Sequence, residues 1–142
     1  MHTVKSTVTL QPNTKFQTKA ESREFSILMD EPEIFGGENT AMNPLELLLS
    51  ALGGCITISL KAFAKEVGVE LNGASVDIEG DFDPAGFMGK DENIRPGYQN
   101  IRCKVKIDSP SDPQKIEQLL QLVEKRCPVS DTLKGVTVKI EL

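Results

Sequence analysis

The sequence predicts an α+β fold with a largely antiparallel sheet. Three observations carry this expectation. Apolar and polar residues alternate in short stretches up to Met29, one long apolar helix pattern opens at Asn43-Pro44, and the second half gives two further alternating stretches, a helix pair and a last alternating stretch. Strands and helices are grouped rather than regularly interleaved, which disfavours a parallel α/β sheet. A chain of 142 residues is the size of one domain, taken here as 1–142.

The first strand is expected over Val4 to Leu10, with Val4, Ser6, Val8 and Leu10 on one face. Gln11-Pro12-Asn13 is a turn signal, and a short second strand is placed at Lys15 to Thr18. Phe25, Ile27 and Met29 share a face of a third strand over Glu24 to Met29, and Glu31 to Met42 reads as a loop.

The long helix is predicted from Asn43-Pro44 to Val67. Asn is a good N-cap, Pro suits the first helical position, and Gly68 supplies the stop. Its first half, Leu45 to Leu60, is apolar nearly all round, so burial within the protein or an assembly is expected. The mid-helix pair Gly53-Gly54 costs on the order of 1 kcal/mol per glycine against alanine. Close approach by another helix or a substrate would account for it.

Ala74, Val76, Ile78, Gly80 and Phe82 predict a strand, Pro84 to Gln99 a loop, and Ile101, Cys103, Val105 and Ile107 one face of another strand. Asp112-Pro113 opens a helix with Ile116, Leu119, Leu120 and Val123 as its apolar stripe. Cys127-Pro128 breaks it, Pro128 to Leu133 forms a short new helix, and Val136, Val138, Ile140 and Leu142 mark a terminal strand.

A net charge of -5 with scattered basic residues argues against nucleic-acid and anionic-membrane partners, and the lack of Trp removes an aromatic platform for bases. The N-terminus lacks a signal-peptide pattern and no apolar run reaches the length of a membrane span, so a cytoplasmic location is expected. Three cysteines in that compartment read as free thiols. No metal is expected, because the only histidine is His2 and no Cys-x-x-Cys spacing exists. A serine triad lacks its base, and the glycines form no phosphate loop. Asp81 and Asp83 read as solvated charge at a strand end. No cofactor is implied, and thiol chemistry or simple binding is left.

Cys103 shares a strand face with apolar residues and is expected to be a small core residue. Cys55 lies in the apolar helix, where core packing and a reactive thiol beside Gly53-Gly54 are both open readings. Cys127 is the N-cap of the short helix, and the helix dipole with Lys125 and Arg126 favours a thiolate there; the bland alternative is a simple helix break. Two such thiols, 72 residues apart, suggest a redox pair once folding brings them together.

The segments NPLELLLSALGGCITISL and CPVSDTL, with the loop GFMGKDENIRPGYQNIRCKVKI, resemble the OsmC/Ohr family of osmotically induced and organic hydroperoxide resistance proteins, in its OsmC-like branch. The resemblance runs from about Phe25 to the end of the chain. It implies an OsmC-like α+β fold with a long buried central helix in an intertwined homodimer, and a cysteine-based peroxidase that reduces organic hydroperoxides with no cofactor and is recycled by a dithiol reductant. Position by position, Cys55 matches the peroxidatic and Cys127 the resolving cysteine. The nearest candidate for the family's activating Arg is Arg23, the only Arg before the long helix, with a solvated side chain as the alternative. The family's Glu directly after Asn-Pro falls on Leu45 here, with the acid one residue later at Glu46, a step of about 100° round the helix. A capping role for Glu46 is the alternative. The competing function is a non-enzymatic binder or redox sensor for a small apolar or electrophilic ligand at the dimer interface.

Overall fold

The computed structural model describes residues 1–136 and 138–141. Two compact units divide the chain, residues 1–48 and 49–142.

The first unit is built on a three-stranded antiparallel sheet of β1 (Thr7–Leu10), β2 (Thr18–Ser22) and β3 (Phe25–Met29), with β2 in the centre. Val8 pairs with Ala20 and Ala20 with Ile27, while Leu10 pairs with Thr18 and Thr18 with Met29. The expected second strand therefore lies further along the chain than Lys15 to Thr18. Lys19 and Glu21 hide it from a reading by apolar alternation, and pairing on both edges makes it a strand regardless. One sheet face gathers Val8, Leu10, Phe25 and Ile27, all exposed in this chain.

Asp30 follows β3 and is buried. Its carboxylate accepts the Thr40 hydroxyl at 2.6 Å, the Thr40 N–H at 3.1 Å and the Glu31 N–H at 2.8 Å, closing the 31–42 loop at both ends. Within the loop Gly37 is packed so tightly that a Cβ would stand 1.9 Å from the Glu31 carbonyl oxygen, so no larger residue fits.

Helix α1 (Pro44–Val67) keeps the expected bounds. At its start the Asn43 side chain accepts the Glu46 N–H at 2.8 Å, and the Glu46 carboxylate accepts the Asn43 N–H at 2.8 Å, a reciprocal capping box. At its end Gly68 takes a left-handed φ of 78°, and the Val69 N–H donates to the Ala64 carbonyl at 2.8 Å, a Schellman stop. The helix is partly buried within the single chain. Leu52, Ser59, Leu60 and Ala64 are buried, while Leu48 and Ile58 stay exposed in the single chain. By length and composition alone α1 is also apolar enough to cross a membrane, which departs from the expectation that no run reaches that length.

In the second unit β4 (Gly73–Asp81) and β5 (Asn100–Asp108) form an antiparallel hairpin. Leu60, Ala64 and Val69 meet Leu119 and Val123 of α3 (Pro113–Arg126), with Val105 and Ile107 packed against them. Asp112 caps α3 by accepting the Gln114 N–H at 2.8 Å. The hairpin's outer face carries ion pairs of Arg102 with Asp81 and Glu79 and of Lys106 with Asp77. Asp81 is thus paired, and Asp83 caps the short α2 (Pro84–Phe87) through the Ala85 N–H, so neither is merely solvated. Helix α4 (Pro128–Leu133) follows α3 directly. The expected terminal strand is not formed among the described residues. Val136, Val138 and Ile140 are exposed and outside any sheet, and Leu142 lies outside the described residues.

Candidate functional site

Two elements of the second unit deliver two thiols to one point. Cys55 projects from the middle of α1, where Gly53 lets β4 come close: a Cβ there would stand 3.0 Å from Ile78 Cδ1. The neighbour that the glycine pair admits at this position is therefore a strand. Gly54, on another side of the helix, has nothing within 4 Å of where a Cβ would be.

Cys127 stands at the joint between α3 and α4. Its N–H closes α3 on the Val123 carbonyl at 2.8 Å, and its carbonyl accepts the Asp131 N–H of α4 at 3.0 Å. Pro128 forces the joint: it has no N–H to continue α3, and it holds the preceding residue extended, at φ -70° and ψ 112°. The Cys127 side chain is almost wholly buried, at 1% exposure, and its thiol lies against Cys55, Sγ to Sγ 3.0 Å. Both thiols are free. A disulfide needs about 2.05 Å, so closure asks for a shift of about 1 Å.

Electrostatics reverse one expectation. Burial pushes the Cys127 thiol above its ordinary range, and its hydrogen bond to Cys55 pushes in the same direction. The N–H groups of Ser130 and Val129 pull the other way without prevailing. Cys127 is thus held as a thiol, and the sequence-level preference for a thiolate at this position does not hold, because desolvation outweighs the helix start. Arg126 does not face the sulfur either. Its Nη1 lies 3.2 and 3.1 Å from the two carboxylate oxygens of Glu66, and its Cζ sits 5.5 Å from the centre of the Phe63 ring.

Cys103 is exposed rather than a core residue. It pairs with Ile78, beyond the end of the hairpin where Val105 and Ile107 meet the core. Glu46 is engaged in the capping box of α1, and Arg23 occupies the two-residue turn between β2 and β3. Arg23 has a left-handed φ of 55°, and its Cζ lies 5.0 Å from the Phe25 ring centre. Both lie in the first unit, and Cys55 and Cys127 in the second. Among the described residues no group of His, Cys, Asp and Glu is placed to hold a metal ion. Sequence reasoning passed over Glu66 and Phe63. The available signal was spacing: 11 residues from Cys55 bring Glu66 round to nearly the same side of α1.

Comparison with known proteins finds relatives that are similar over most of the chain. Two curated relatives are named hydroperoxide reductase. That of Mycoplasma genitalium is 28% identical over 134 residues, 92% of this chain and 87% of its own. That of Mycoplasma pneumoniae is 28% identical over 123 residues, 83% of this chain and 79% of its own. The crystal structure of an OsmC-like protein from Mycoplasma pneumoniae superposes with a TM-score of 0.79 at 25% identity, covering 95% of this chain and 89% of that one. The family model described as OsmC-like protein matches residues 37–141, so both cysteines and the helices that carry them fall within the match. The chain belongs to the OsmC-like protein family.

Proposed function

We propose that this protein is a thiol-dependent peroxidase that reduces organic hydroperoxides through Cys55 and Cys127. The observation that carries the reading is the 3.0 Å separation of two free sulfurs that are 72 residues apart in the chain. The hydroperoxide reductase names of relatives similar over most of the chain give it a substrate class.

The Cys55 thiolate attacks the distal peroxide oxygen, the O–O bond breaks, and the alkoxide takes up a proton to leave as the alcohol. Cys55 is then a sulfenic acid. Cys127, kept protonated and in contact until then, gives up its proton as its sulfur attacks the Cys55 sulfur, and the sulfenic oxygen leaves as water. The disulfide is opened by an external dithiol, which is itself oxidised to a disulfide. The family resemblance gives Arg23 the role of activator, and the rate of peroxide consumption by Arg23→Ala tests it. The working form is a homodimer, supported by the apolar sheet face of Val8, Leu10, Phe25 and Ile27 and by the exposure of Ile58 on α1, surfaces that a second copy of this chain would cover.

Reduced protein mixed with an alkyl hydroperoxide loses the Cys55 and Cys127 thiols, keeps that of Cys103 and gains one intramolecular disulfide. Undiminished peroxide consumption by Cys55→Ser would falsify the mechanism. The engagement of Glu46 in helix capping favours a second reading, a binder or redox sensor of a small electrophile. Such a protein oxidises once with peroxide and does not cycle when a dithiol is supplied.

A further inference from the structure

Arg126 and Cys127 are adjacent in the chain, yet they reach two points of α1 that are 11 residues apart. At a rise of about 1.5 Å per residue, Cys55 and Glu66 are roughly 16 Å apart along the helix axis and nearly in line on its surface. The Arg126 side chain runs over the Phe63 ring to a carboxylate whose two oxygens share one of its nitrogens. Leu119 and Val123 pack α3 on Leu60 and Ala64 of α1, and the Arg126–Glu66 pair adds a further fixed point at the end of α3, one residue from Cys127.

We propose that Arg126, braced on Glu66 and Phe63, is a positioning residue that holds Cys127 in register for disulfide closure with Cys55. Its place in turnover rests on the peroxidase reading, but its effect on closure does not. The ion pair is about half exposed, so it adds little to global stability and is screened by salt. Closure, in contrast, depends on the fraction of time the sulfurs spend in attacking geometry.

The effective concentration of Cys127 toward Cys55, measured in glutathione redox buffers, reports the brace without any peroxide. Arg126→Ala and Glu66→Ala are each expected to lower it by about twofold to fivefold with only a small change in Tm. The charge-exchanged protein, Glu66→Arg with Arg126→Glu, recovers most of the loss, and high salt brings the wild type toward the single variants. Glu66→Gln removes the charge at the same size and serves if an alanine variant does not fold. Wild-type effective concentration in the single variants, or a charge-exchanged protein no better than they are, overturns the proposal. If the single variants lower the effective concentration as expected but no protein consumes hydroperoxide, the peroxidase reading fails and the brace stands.

Discussion

Ile78 lies so close over Gly53 that a Cβ at that glycine would stand 3.0 Å from its Cδ1, while the next glycine, Gly54, faces open space. The two glycines of one helix turn therefore answer differently to alanine. Within the single chain Gly54→Ala gains the helical preference alone, about 0.5–1 kcal/mol, which raises Tm by about 2–6 °C. Gly53→Ala gains the same preference but must move Ile78, so its melting point falls below that of Gly54→Ala. Thermal melts of the two variants, followed by circular dichroism, give the order.

The raised Cys127 thiol makes a prediction for alkaline solution. A group whose pKa is higher folded than unfolded stabilises the fold while it stays protonated, and that stability is lost as pH rises through the folded value. The ordinary value is 9.0, so the loss sets in above about pH 9. Cys55→Ala removes one of the groups that hold Cys127 protonated. The Cys127 thiolate, followed by its own Cβ signal in NMR, therefore appears at lower pH in this variant than in a protein that retains Cys55.

Asp30 works at the acid end. Hydrogen bonds hold its carboxyl below the ordinary carboxylate range, first that of the Thr40 hydroxyl and then those of backbone N–H groups at Glu31, Thr40 and Glu38. A depressed acid stabilises the fold above its unfolded pKa, and the stability disappears as pH falls through the folded one. The 31–42 loop is thus expected to loosen below about pH 3.8. Thr40→Val removes the largest of these bonds, and the loosening then begins at higher pH. Hydrogen exchange of the residue 40 amide against pH measures both onsets.

The capping box predicts a graded series at Glu46. Glu46→Ala leaves the Asn43 N–H without its carboxylate and costs about 0.5–1 kcal/mol, whereas Glu46→Gln can still accept that bond and loses less. Urea denaturation midpoints rank the three proteins.

Local signals placed the helices well. Asn43-Pro44, Gly68 and Asp112-Pro113 are caps whose chemistry is complete within a few residues, and α1 and α3 begin and end where they direct. Signals that depend on distant chain failed in proportion to that dependence. Strand β2 is polar, and its pairing partners β1 and β3, not its own pattern, make it a strand. Cys103 has an apolar strand pattern but lies past the part of the hairpin that the core covers. The thiolate preference at Cys127 followed correctly from its position before Pro128. It was overridden because burial at a helix joint is decided by packing against α1, which no nearby residue reveals. The helical settings of Cys55 and Cys127 suggested a redox pair, but their contact is visible only in the fold.

The chain has one tyrosine and no tryptophan, and the ring of Tyr98 lies where a Cβ on Gly80 would be, 2.4 Å from its Cε1, with Phe82 edge-on at 6.3 Å. The intrinsic ultraviolet emission of this protein therefore comes from a single place, the loop end of the β4–β5 hairpin. An unfolding curve recorded by fluorescence is a record of that hairpin letting go of its loop, and comparison with a far-ultraviolet curve, dominated by α1 and α3, tells an experimenter whether the hairpin and the helices come apart together.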